Sequence, residues 1–123
     1  MHEASKIALS KYKETMRRRD AAMQQELEER KTRAWDVARD AAALLYNQFN
    51  ASYVVAFGSL VHEMWFPPTS DIDLAAWNIS DEDYFVAVAK LQELATEFKI
   101  DLIAMERCKP HLREAIEREG VRL

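Results

Sequence analysis

The sequence predicts an α/β chain, and three observations carry that prediction. No glycine or proline occurs before Gly58, and the first fifty residues are mostly strong helix formers. Short runs rich in β-branched and aromatic residues then occur at Tyr53–Phe57, Asp71–Trp77 and Lys99–Met105. Segments of helical spacing separate and follow these runs, so strand and helix alternate through the second half of the chain.

Taken in order, residues 5–50 read as one long helix, with a break expected near Arg17–Asp20. Apolar positions are sparse at its start (Ile7, Leu9, Tyr12, Met16, Met23, Leu27). They thicken into a stripe of Ala34, Trp35, Ala38, Ala41, Ala42, Leu45 and Phe49. The second half should therefore pack on the domain, while the thin seam of the first half suits a partner or a second copy. This divides the chain into a helical extension, residues 1–32, and a domain, residues 33–123. Tyr53–Phe57 follows as a buried strand. Residues 58–66 turn and form about two helical turns, which Pro67-Pro68 ends.

The strand from Asp71 sets Asp71, Asp73 and Ala75 on one face against Ile72, Leu74 and Ala76 on the other. Ser80 with Asp83 marks a helix start. That helix should bury Phe85, Val88, Leu91, Leu94 and Ala95 and end near Phe98, with Trp77 before it in the core. After the third strand, Pro110 and Gly120 bracket a last helix, and Val121–Leu123 forms a tail or edge strand.

Bulk properties narrow the class. A chain of 123 residues, 49% of them apolar, suffices for one modest core. The single cysteine, Cys108, excludes an internal disulfide and fits a reducing cytoplasm. No apolar run is long enough for a membrane span, and the start lacks a signal-peptide core. Residues 1–50 carry a net +2 and residues 51–123 a net −6. Direct gripping of nucleic acid calls for the opposite sign in the second half, so no direct nucleic-acid binding is expected. Recruitment of a divalent cation suits it.

The candidate chemistry lies in that acidic half. Side chains two apart on a strand share a face, so Asp71 and Asp73 present two carboxylates together. Their mutual repulsion is relieved by a divalent cation, and Mg²⁺ favours a few carboxylates plus phosphate oxygens. Asp101, on the next strand, can supply a third acid. Gly58 allows the backbone to approach a phosphate closely, and Ser59 at the start of a short helix can donate to its oxygens. Such a set suits phosphoryl or nucleotidyl transfer. His62, Cys108 and the Arg17-Arg18-Arg19 run read as surface or plain structural residues. Trp65 and Phe66 suit burial or stacking equally.

Phe57-Gly58-Ser59, Asp71-Ile72-Asp73-Leu74 and Ile100-Asp101-Leu102-Ile103 resemble the three motifs of the DNA polymerase β-like nucleotidyltransferases. The short length and the ending Ile116-Glu117-Arg118-Glu119-Gly120-Val121 are similar to the minimal nucleotidyltransferases. The resemblance covers about residues 33–123. It implies a small mixed sheet flanked by helices, with Gly58 and Ser59 at the phosphates of a nucleoside triphosphate. It also implies Asp71, Asp73 and Asp101 as Mg²⁺ ligands, Asp101 helping to activate the acceptor hydroxyl. Family members commonly pair with HEPN-domain toxins, and some transfer AMP from ATP to a toxin tyrosine. The expected function is thus a cytoplasmic antitoxin of that kind. The alternatives are a non-catalytic module that neutralises its partner by binding, and a transferase acting on a small aminoglycoside-like molecule. The stretch Leu60-Val61-His62-Glu63-Met64 departs from the family pattern by having no arginine after the serine.

Overall fold

A computed structural model describes residues 2–63 and 66–123. Helix α1 runs unbroken from His2 to Phe49. The break expected at Arg17–Asp20 is absent, because the arginines are good helix formers and point to solvent, where nothing opposes continuation. Ala34, Ala38, Ala41, Ala42, Leu45 and Phe49 are its buried residues. Four alanines on this face let the helix axis come close to the sheet. Asn50, at φ 58°, adopts the left-handed conformation that ends the helix.

Four strands follow: β1 (Tyr53–Phe57), β2 (Ile72–Trp77), β3 (Ile100–Ala104) and β4 (Val121–Arg122). They form one mixed sheet in the order β3-β2-β1-β4. β1 runs antiparallel to both β2 and β4, whereas β2 and β3 are parallel. The parallel pair is joined across α3 (Asp81–Leu94), a βαβ crossover. Ser80 caps α3 by accepting from the Asp83 amide. The turn after β1 is a single helical turn, α2 (Ser59–His62), shorter than the two turns expected. Glu63 is already extended, its amide bonded back to the Ser59 carbonyl. A 3₁₀ turn (Met105–Arg107) leads to α4 (Pro110–Glu119), with Pro110 in its first turn.

The two faces of the sheet are unequally covered. Val54, Ala56, Ile72, Leu74, Ala76, Ile100 and Leu102 join the large core beneath α1 and α3. On the other face, among the described residues, Val55, Ala75, Met105 and Ile116 make a small buried cluster, under the 3₁₀ turn and α4. Trp77 is half-buried at the edge of this cluster rather than deep in the core, edge-on to Tyr53 at 4.9 Å.

Two expectations for α3 fail. Phe85 is 76% exposed, and the helix stops at Leu94, itself 40% exposed, with Phe98 buried in the following segment. The buried positions are Ala87 and Leu91, four apart, with Val88 beside them. Phe85 lies off that line and turns to solvent. Phe98 is held by a clamp from α1: the Arg30 guanidinium lies 4.6 Å from the Phe98 ring centroid and 5.8 Å from that of Phe66. Arg30 and Arg33 both bind the Glu97 carboxylate. Phe66 is fully buried here, which decides its role in favour of packing. Trp65 lies outside the described residues.

Candidate active site

β2 is flanked by β1 and β3, and the register places its acids. Asp73 stands opposite Phe57 of β1 and opposite Asp101 of β3. Residues paired in register on neighbouring strands project from the same face, so Asp73 and Asp101 share the thinly covered side. Asp71 precedes β2 by one residue, on the same side as Asp73. The Ile72 amide donates to the Lys99 carbonyl at 2.9 Å, which fixes the entry of β2 against β3.

Gly58 closes the site from β1. Its φ of +72° lies in the region that favours glycine. A Cβ there would come within 2.5 Å of the Asp73 Oδ2, so no larger residue fits without displacing the carboxylate. Directly after it Ser59 opens α2. The Gly58 carbonyl accepts from the Val61 and His62 amides, which holds the turn in shape.

The electrostatics follow from the placement. Asp73 is pushed up to about 6 from its ordinary 3.8, chiefly by burial, then by the charges of Asp101 and Asp71. Lys99 opposes this, with its Nζ at 3.8 Å from Asp101 and 3.9 Å from Asp71. Lys99 escaped the sequence reading, although the signal was present: it lies two residues before Asp101, hence on the same strand face. Among the described residues, no group of three or more His, Cys, Asp or Glu is gathered closely enough to hold a metal ion as it stands. The three acids nonetheless share one face and act on one another, with the ammonium of Lys99 between two of them. A cation replacing that ammonium meets a donor set of hard oxygens, which fits Mg²⁺.

A groove of about 410 Å³ wraps the free edge of β3, from Asp73 and Asp101 to Tyr84 and Leu112. It adjoins a depression of about 340 Å³ bordered by Arg107, Cys108 and Lys109. The Tyr84 hydroxyl donates to the Leu102 carbonyl at 2.7 Å, which caps part of the strand edge. His62 makes its contact away from these acids, with Glu119 at 2.9 Å, and that bond lowers the Glu119 pKa.

The family model described as polymerase beta, nucleotidyltransferase matches residues 40–123. A comparison with curated protein sequences finds no match. Among solved structures, the chain resembles a minimal nucleotidyltransferase at 22% identity and a TM-score of 0.57, over 81% of this chain and 95% of that one. It resembles a mutant toxin–antitoxin pair, MntA–HpeT, at 17% identity and a TM-score of 0.57, over 69% of this chain and 70% of that one. A toxin–antitoxin structure with AMP-PNP gives 21% identity and a TM-score of 0.53, over 64% of each chain. At these identities the likeness is one of fold. No helix of the described residues is long and apolar enough to cross a membrane.

Proposed function

The chain belongs to the polymerase β nucleotidyltransferase family, and we propose that it transfers AMP from ATP to a tyrosine hydroxyl of a HEPN-type toxin, as that toxin's antitoxin. The observation that carries this reading is the register of Asp73 against Asp101 beside the glycine turn at Gly58. The fold likeness to structures of toxin–antitoxin pairs, one of them with AMP-PNP, supports the choice of partner and nucleotide. The catalytic unit is assigned to residues 33–123, with residues 1–32 as an extension.

Asp71, Asp73 and Asp101 are the residues that would hold Mg²⁺. Bound there, the ion would neutralise the acids and stabilise charge developing on the phosphate oxygens. The Ser59 hydroxyl donates to a phosphate oxygen, and the bare backbone of Gly58 lets the triphosphate approach. Asp101 accepts the proton of the acceptor hydroxyl as its oxygen attacks the α-phosphorus and pyrophosphate leaves. Lys99, beside two of the acids, supplies the positive charge that the stretch after Ser59 lacks. A groove along the β3 edge leads an acceptor side chain to Asp101.

The test is incubation with labelled ATP, Mg²⁺ and the protein encoded beside this one. Label on the partner's tyrosine is expected; an unlabelled partner, where a positive control is labelled, removes the reading. A second reading is neutralisation by binding alone, favoured by the acids being parted by Lys99 rather than gathered for a metal. Full neutralisation by a chain carrying both Asp71→Asn and Asp73→Asn would establish it.

A further inference from the structure

The amino-terminal half of α1 makes no use of the domain. Burial begins at Ala34, and the family match begins later still, at residue 40. Among the described residues, the hydrogen bonds and ion pairs made by side chains of residues 2–29 all lie within α1. A helix of 28 residues extends about 42 Å, and in isolation such a length is marginal without packing. Yet it carries an apolar seam. Leu9, Met16 and Met23 recur every seven residues, and Leu27 falls on the same stripe, in line with buried Ala34, Ala38 and Leu45. Leu9 and Met23 are 53% and 65% exposed, and Tyr12 on the flank of the seam is 62% exposed.

The charges on this helix are segregated. Residues 2–19 contain six Lys/Arg and two Glu, a net +4, whereas residues 20–29 contain four Asp/Glu and no Lys or Arg, a net −4. We propose that residues 2–29 pair antiparallel with the same segment of a second copy of this chain, on a two-fold axis at Met16. That register sets Leu9 of one copy opposite Met23 of the other. It lays residues 3–12, net +1, along the partner copy's residues 20–29, net −4, and places Lys13 next to the start of that acidic segment at Asp20, while residues 13–19, net +3, face one another in either direction. Parallel pairing would instead set −4 against −4. The length also fits. Registered on Met16, residue 3 of one copy lies opposite residue 29 of the other, and the domain begins just beyond, where Lys31 binds the Glu63 carbonyl. The seam is short and includes methionine, so the pair is reversible and its charges, being exposed, are sensitive to salt.

Sedimentation equilibrium of the full chain tests the pairing, and disulfide trapping tests its direction. The expected result is a monomer–dimer equilibrium in the micromolar range. Met16→Glu should remove the dimer and leave the thermal unfolding of the domain unchanged. In a Cys108→Ser background, chains with Leu9→Cys should cross-link to chains with Met23→Cys under mild oxidation, and neither should cross-link to itself. A chain that stays monomeric at low salt, including one that associates only with a different protein, overturns the proposal. Equally, self-cross-linking of Leu9→Cys chains to the level of the mixed pair would replace antiparallel with parallel pairing.

Discussion

One sheet presents two faces that do opposite work. Beneath α1 and α3 its residues are alanine, valine, leucine and isoleucine, fully buried and close-packed. On the other side of the same strands stand Asp71, Asp73 and Asp101, half-exposed, charged and mutually repelling. The alternation of β2 joins the two: Ile72, Leu74 and Ala76 point into the core, and the acids occupy the intervening positions. A rigid strand anchored from behind can hold like charges together in front. The stability of one face thus holds the electrostatic strain of the other.

This contrast can be broken from either side, and the largest effect is expected at the acids. Asp71→Asn combined with Asp73→Asn should lower transfer of labelled AMP to the partner by at least about a hundredfold while the chain stays folded. Retained transfer would place the chemistry elsewhere. On the opposite face, Leu74→Ala should cost about 2–5 kcal/mol of unfolding free energy in denaturant titrations, since Leu74 is fully buried. Residual activity should then follow the folded fraction. Gly58→Ala comes next. A positive φ costs about 1–3 kcal/mol for such a residue, and the added methyl displaces Asp73. ATP affinity, read by calorimetry, should fall more than the melting temperature does.

A smaller effect concerns pH, and its sign follows from Asp73. Its folded pKa, about 6, lies above the ordinary 3.8, so between these values the native state binds more protons than the unfolded one. Stability in the absence of Mg²⁺ should therefore fall as pH rises from 3.8 to about 6 and level off above. Asp73→Asn removes this loss: the variant should melt higher than the parent at pH 7, with the difference vanishing toward pH 4. Partial exposure of the site keeps the shift modest. Equal melting curves at both pH values would show that the acids do not strain the native sheet. Smallest of all, Lys99→Met should raise the Asp73 pKa further, because Lys99 holds it down.

Much of this was legible in the sequence because its signals were local. Period-two alternation from Asp71 gave the faces of β2, Ser80 and Pro110 gave two helix starts, and the glycine-poor first half gave α1. In the candidate site, spacing alone put Asp71 and Asp73 on one face. Asp101 was a candidate from its place on the next strand, but bringing it beside Asp73 needed the parallel register of β3 on β2, a non-local fact. Phe85 was misplaced because helical spacing does not say which of two neighbouring stripes meets the core. The choice fell to Ala87 and Leu91, beneath which the sheet lies close. Lys99 and the Arg30 clamp on Phe66 and Phe98 depend on chain segments that meet only in the fold.

The central claim, that Asp71, Asp73 and Asp101 form one cation site beside the Gly58 turn, is most directly tested by carboxyl-carbon NMR of the aspartates across pH, with and without Mg²⁺. Without the ion, Asp73 should titrate near 6. With Mg²⁺ its midpoint should drop sharply, and the Asp71 and Asp101 resonances should move with it. An Asp73 that titrates at the ordinary 3.8, with all three resonances indifferent to Mg²⁺, would contradict the account.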